Sequence, residues 1–178
     1  MSLQSLVITT LLPVNIPIQF IDKSSNSLEI PITWQIPTII LLTLIFHKKV
    51  VFIAFSIYII LGLFIAPVFH QGGSIGYLLT PNFGYLLGVY PLIKIIDNLN
   101  TSNKINVSNF LKNGFIAIGA MHLTGIFYNF IQFIFYNQFN TFFYNLGKYS
   151  LGKIGYHFLM LLPLLLLIEP IRYLRKSK

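Results

Sequence analysis

Long stretches of Ile, Leu, Val and Phe alternate with short polar breaks along this 178-residue chain, and the charge lies mostly in the breaks. A helix that crosses the hydrocarbon of a bilayer needs about 20 mostly apolar residues, fewer where other helices surround it. Six runs meet that requirement, near residues 3–20, 32–46, 50–66, 83–97, 107–136 and 154–171. The pattern predicts an all-α integral membrane bundle of six transmembrane helices, in a single domain over residues 1–178. The first run contains Pro13, Asn15 and Pro17, and Pro31 and Pro37 interrupt the second. Irregular backbone at that depth is tolerated only inside protein or against a cavity, so these two helices are expected to face something polar. The N-terminus has neither a positive leading segment nor a small-residue cleavage site, and its first apolar run is expected to stay in place as a helix.

Composition strengthens this picture. The chain is 55% hydrophobic and 9% charged, with a mean hydropathy of +0.75, whereas soluble domains carry about 25% charge. Its formal net charge of +8 would suit an acidic partner if it formed one basic face. The cations instead sit between apolar runs, so they report orientation, and no nucleic-acid partner is expected. His47, Lys48 and Lys49, then Lys94, Lys104 and Lys112, then Arg172, Arg175, Lys176 and Lys178 fall on one side. Lys23, Lys148 and Lys153 fall on the other, partly offset by Asp22 and Glu29. Cytoplasmic loops concentrate Lys and Arg, which places both termini in the cytosol and residues 67–88 outside.

Several kinds of chemistry lack their residues. Cysteine is absent, which removes disulfides, CxxC zinc sites and thiol nucleophiles. No GxxxxGK[ST] motif is present, so ATP is not bound by that device. The acidic residues, at 22, 29, 97 and 169, form no pair for acid/base work within a predicted helix. The histidines at 47, 70, 122 and 157 show no metal-ligand spacing. No catalytic or metal site is expected, and an enzyme is the last of the functional readings. His122 admits two readings: a functional group by virtue of ionising inside a span, or a side chain bonded to a neighbouring helix.

The stretch PVFHQGGSIGYLLTPNFGYLLG, residues 67–88, breaks the apolar monotony. Pro67 ends the third run, and the Gly72, Gly73 and Gly76 backbone exposes amides without side chains in the way. Asn82 is expected to cap a helix beginning near Phe83, leaving free N–H groups facing outward. An ordinary outer turn, with Gly84 and Gly88 allowing close helix packing, fits as well. On the fifth run Gly114, Ala117, Met121 and Gly125 form a small-residue stripe suited to internal packing.

Together with PITWQ at 31–35, this stretch resembles the BioY family, the biotin-specific substrate-binding subunits of energy-coupling-factor vitamin transporters. The matching residues are Pro31, Ile32, Thr33 and Gln35, then Pro67 to Phe69, Gly72, Gly73, Gly76 to Leu79, Pro81, and Gly84 to Gly88. The resemblance implies a multi-pass protein of a bacterial plasma membrane that captures biotin from outside. Its implied partners are biotin, the lipid bilayer, a transmembrane coupling subunit and two ATPase subunits, with no cofactor of its own. It implies ligand contacts from Thr33, Trp34, Gln35, Gly72, Gly73, Gly76, Tyr77, Asn82, Gly84, Tyr85 and Lys153. Gln35 would serve the ureido group, the aromatic side chains the rings, the glycine loop a backbone lid, and Lys153 the carboxylate. Trp34 and the tyrosines also suit interfacial anchoring, and Lys153 suits snorkelling. The family commonly opens its last helix with Pro-Gly-Asp-x-x-Lys. Here the region reads Tyr149-Ser-Leu-Gly-Lys-Ile-Gly-Tyr156, with no Asp. Two further readings stand beside biotin transport: a small structural or assembly subunit, and the same fold with a different vitamin.

Overall fold

Pro13 stops the first helix early, because it has no amide to donate and its ring crowds the preceding turn. In the computed structural model, which describes residues 2–17, 27–69, 72–101, 106–137 and 139–176, helix α1 runs over Ser2–Leu11 and the chain then turns into a hairpin. Strands β1 (Pro13–Pro17) and β2 (Ser27–Thr33) pair antiparallel, Val14 opposite Ile30 and Pro17 opposite Ser27, with an irregularity between Pro13 and Val14. This corrects the all-α expectation: the chain is mostly helical, and the predicted first span of 3–20 is a shorter helix followed by a strand. Prolines sit at both ends of β1, where a strand tolerates the missing ladder bond. The Trp34 amide donates to the Leu12 carbonyl at 3.2 Å and closes the base of the hairpin. Asp22, Lys23, His70, Gln71, Lys104 and Lys178, used above to argue orientation or loop chemistry, lie outside the described residues.

The remaining helices follow the apolar runs with characteristic breaks. Helix α2 (Gln35–Ile45) starts after Trp34, and α3 (Lys48–Phe64) starts at His47, whose Nδ1 accepts from the Lys49 amide. A 3₁₀ turn, Ile75–Leu79, leads into α4 (Pro81–Leu87) and α5 (Val89–Thr101), which divide the predicted fourth run at Gly88. Helix α6 (Val107–Tyr136) has the extent its pattern predicts. Asn106 Oδ1 caps it by accepting from the Asn109 amide at 2.7 Å, and Asn137 ends it in the left-handed conformation. Beyond it come α7 (Phe139–Asn145), a π-helical turn (Leu146–Leu151), α8 (Gly152–Leu159), α9 (Leu161–Leu165) and α10 (Ile168–Lys176). Among the described residues α6 is the one helix long and apolar enough to cross a membrane unaided.

Helices α4, α5 and α6 meet through small residues. Tyr85 of α4 lies on Gly125 of α6, Tyr128 of α6 lies on Gly84, and Gly88 faces the Met121 backbone. Gly114, Ala117, Met121 and Gly125 are all buried, so the predicted stripe is an internal seam. Around the core formed by residues such as Ile39, Phe55, Leu92, Ile93 and Phe110, the outer faces expose large apolar side chains, among them Ile53, Ile57, Ile60 and Phe64 of α3 and Leu123, Phe127, Ile134 and Phe135 of α6. Water-soluble monomers rarely expose contiguous apolar surface on that scale. It is the exterior of a chain solvated by hydrocarbon.

Candidate ligand-binding site

The end of β2, the starts of α2 and α4, the 3₁₀ turn and α8 converge on a cavity with about 730 Å³ of empty space, its open mouth included. Ile32 and Thr33 reach it from β2, Gln35 and Ile36 from α2, and Tyr77 from the 3₁₀ turn. Asn82, Tyr85 and Leu86 reach it from α4, Val89 from α5 and Met121 from α6, while Tyr149, Lys153 and His157 come from the π-helical turn and α8.

Six of the residues expected at a ligand site therefore share one cavity: Thr33, Gln35, Tyr77, Asn82, Tyr85 and Lys153. Five do not line it. Trp34 is 37% exposed and serves the hairpin base through its backbone. Gly84 lies under Tyr128. Gly72 and Gly73 belong to the loop behind Tyr77 and Gly76 to the 3₁₀ turn itself, and two of the loop amides expected to be free are bonded within the protein. The Gly72 amide donates to the Phe69 carbonyl, and the Ser74 amide to the Gly62 carbonyl, both at 3.0 Å. Gly72 has φ +101°, and a Cβ on Gly73 would stand 2.7 Å from Pro67 Cα. These two glycines serve conformation and close approach. Asn82 is also not a cap: α4 begins at Pro81 behind Thr80, so Asn82 projects from the first turn into the cavity.

The polar groups of the lining are set from behind. Tyr77 has Asn82 as a side-chain hydrogen-bond partner. Lys153 Nζ stands 5.4 Å from the centre of the Tyr149 ring, within cation–π range. Gln35 is 8% exposed, and its Nε2 is buried without a hydrogen bond, with the Tyr58 hydroxyl nearby. A buried donor left unmade costs about 1–3 kcal/mol, so this amide is poised for an acceptor that the empty cavity lacks.

A column of rings supports Tyr77. Phe69 packs against it with ring centres 4.5 Å apart, Tyr58 packs against Phe69 at 5.4 Å, and the Tyr58 hydroxyl lies 3.1 Å from Thr10 Oγ1 of α1. On the far side the Tyr128 hydroxyl donates to the Leu78 carbonyl and Gln132 Nε2 donates to Leu79, holding the 3₁₀ turn onto α6.

Tyr149 and His157 were not foreseen. They lie four residues either side of Lys153, on the same face of a helix, and that spacing was the available signal. The π-helical turn at Leu146–Leu151, which carries Tyr149, adds a residue to the winding where this face begins; such turns recur at functional sites. Behind the lining, His122 bonds Ser150 and His157, so its second reading, a bond to neighbouring elements, describes its contacts.

Comparison with known proteins agrees with this architecture. No curated protein sequence matches. The fold is similar to a solved crystal structure of the S-component for biotin from an ECF-type ABC transporter, with a TM-score of 0.58 and 22% identity, covering 98% of this chain and 87% of that one. The sequence matches the BioY family over residues 2–160. With its hydrocarbon-adapted exterior, the chain is a membrane protein, and it belongs to the BioY family.

Proposed function

We propose that this chain is the membrane-embedded substrate-binding subunit through which a bacterial cell takes up biotin. The observation that carries the reading is the cavity, in which an unpartnered amide donor at Gln35, three tyrosines and one lysine converge. Gln35 Nε2 and Asn82 suit a ureido carbonyl and its N–H groups. Ile32, Ile36, Leu86, Val89 and Met121 suit the thiophane ring and aliphatic chain, with Tyr77, Tyr85 and Tyr149 as walls having polar tips. Lys153 suits the carboxylate. Membership of the BioY family and the likeness of fold to a biotin S-component support the same ligand.

The subunit works by binding and release rather than by bond chemistry. It spans the plasma membrane six times with both termini in the cytosol, and an energising assembly of one transmembrane coupling subunit and two ATPases drives delivery inward. The cation distribution supports that orientation. Because the chain has no cysteine, single cysteines introduced near each terminus can be tested for labelling from either side of the membrane. Labelling of either terminus from outside would refute the topology.

Binding of labelled biotin to the purified protein in lipid nanodiscs tests the function. Saturable binding that weakens at least ten-fold in Lys153→Met is expected, and no binding by the wild type would overturn the assignment. A second reading, the same fold with another vitamin, draws on one observation: among the described residues no carboxylate lines the cavity, whereas the family pattern places an Asp at the start of the last helix. Displacement of labelled biotin by a related vitamin at lower concentration than by biotin itself would favour that reading.

A further inference from the structure

Behind the cavity four side chains from four elements join in a line. The Tyr85 hydroxyl of α4 lies 2.8 Å from Ser150 Oγ of the π-helical turn, Ser150 Oγ lies 3.2 Å from His122 Nδ1 of α6, and His122 Nε2 lies 3.0 Å from His157 Nδ1 of α8. Ser150 and His122 are each 2% exposed. The two ends, Tyr85 and His157, line the cavity, and no direct bond joins them among the described contacts. We propose that this chain is a directional relay that gives the two ends opposite hydrogen-bonding character, and so selects ligands that carry an N–H beside a C=O, as a cyclic urea does. The proposal rests on the reading of the cavity as a biotin site and assigns Ser150 and His122 as positioning residues for it.

Proton counting carries the argument. Each hydroxyl and each neutral imidazole has one hydrogen to give, and each contact in the line accommodates one. Neither imidazole has a carboxylate among its described partners; each meets a hydroxyl or the other ring, contacts that a neutral ring satisfies with its single hydrogen. The relay therefore takes both rings as neutral. In one arrangement Tyr85 donates to Ser150, Ser150 to His122 Nδ1, and His122 Nε2–H to His157 Nδ1. His157 then carries its hydrogen on Nε2 and offers a donor, while Tyr85 offers only lone pairs. In the other arrangement every bond is reversed. His157 Nδ1–H donates to His122 Nε2, His122 Nδ1–H to Ser150, and Ser150 to Tyr85. His157 now offers a lone pair, and Tyr85 has its hydrogen to give.

A mixed arrangement would set lone pair against lone pair, or would make Ser150 Oγ accept from both neighbours and leave its own hydrogen, on a residue 2% exposed, without a described acceptor. In the reversed arrangement, without ligand, the Tyr85 hydrogen is left for the cavity that Tyr85 lines. The cavity therefore meets its ligand with one donor and one acceptor whose places exchange together. A group offering both, in either order, satisfies the pair; an acceptor-only group leaves one end unmet.

The relay makes a prediction that needs no ligand: His122 and His157 share one tautomer, both Nε2–H or both Nδ1–H. Nitrogen NMR of ¹⁵N-histidine-labelled protein in nanodiscs reads this directly, with His122→Phe and His157→Phe used for assignment. One ring of each tautomer, or an imidazolium at neutral pH, overturns the relay whatever the protein binds. With ligand, the wild type should prefer biotin over its doubly N-methylated ureido derivative, and both Ser150→Ala and Tyr85→Phe should reduce that preference at least three-fold. An undiminished preference in both variants overturns the assigned role. Absence of biotin binding in the wild type would instead refute the proposed ligand, while the tautomer measurement would still decide the relay.

Discussion

Replacing Gln35 with methionine separates stability from binding. The side chain is 8% exposed in the first turn of α2, and its Nε2 has no hydrogen bond. Methionine has nearly the same length and no polar nitrogen, so Gln35→Met removes a buried unmade donor whose cost is about 1–3 kcal/mol. Against this stands about 1 kcal/mol for whatever bond the Gln35 carbonyl makes. The balance predicts a ligand-free protein more stable by about 1 kcal/mol, a rise in Tm of roughly 2–4 °C for a chain of this size. Biotin binding should move the opposite way, because the proposed ligand loses a donor in a confined site. A loss of about 1.4 kcal/mol corresponds to ten-fold weaker affinity. Thermal unfolding of wild type and variant in the same nanodiscs, each with and without biotin, measures both quantities. A variant that melts lower than wild type when empty, yet gains as much from biotin, would refute the idea that Nε2 awaits an acceptor.

Three other substitutions test the supporting structure. A Cβ on Gly88 would stand 2.5 Å from the Met121 carbonyl oxygen and 2.9 Å from its Cα; backbone cannot rotate aside, so Gly88→Ala should cost about 2–3 kcal/mol and lower Tm by roughly 5–10 °C, and an unchanged Tm would show the seam to be looser. Ser74 has φ 145° and ψ 170°, a region that costs a non-glycine residue about 1–3 kcal/mol, so Ser74→Gly should raise Tm by a few degrees, and a fall would show that the hydroxyl matters more than the strain. Lys48 Nζ lies 3.0 Å from Asp97 Oδ2, with the carboxylate 7% exposed and the lysine 41%; Asp97→Asn should cost about 1–2 kcal/mol, less than a fully buried pair because the lysine is partly solvated, as read from melting at low and high salt.

Helix positions were legible because hydrophobic runs and cap residues are local signals. Helix α6 runs from Val107 to Tyr136, as its unbroken pattern says. The hairpin was not legible, since Pro13, Pro17 and Pro31 mark where helix is impossible without saying what replaces it. Polar cavity residues were found where a motif crowded them together, as with Thr33, Gln35, Tyr77, Asn82 and Tyr85. The glycines of that motif were assigned to the ligand, but Gly73 and Gly84 face backbone and Tyr128, and only tertiary contact reveals which neighbour a glycine admits. For Tyr149 and His157 the local signal is only the four-residue interval around Lys153, a spacing shared by many unrelated helical residues and here interrupted by the π-helical turn. The Tyr85–His157 relay crosses 72 positions of sequence, a separation at which pattern carries no information about proximity.

The aromatic column from Thr10 through Tyr58 and Phe69 to Tyr77 has a mechanical meaning. Rings in edge-to-face and tilted contact resist compression, and the Phe69 ring fills the notch that Gly62 leaves, with little room to slide sideways. A guest that pushes on Tyr77 therefore pushes, through a stiff strut, on the first helix, which stands at the edge of the bundle with Ile8 and Leu11 turned outward. The cavity wall and the seat of that outer helix are joined by one continuous line of contacts.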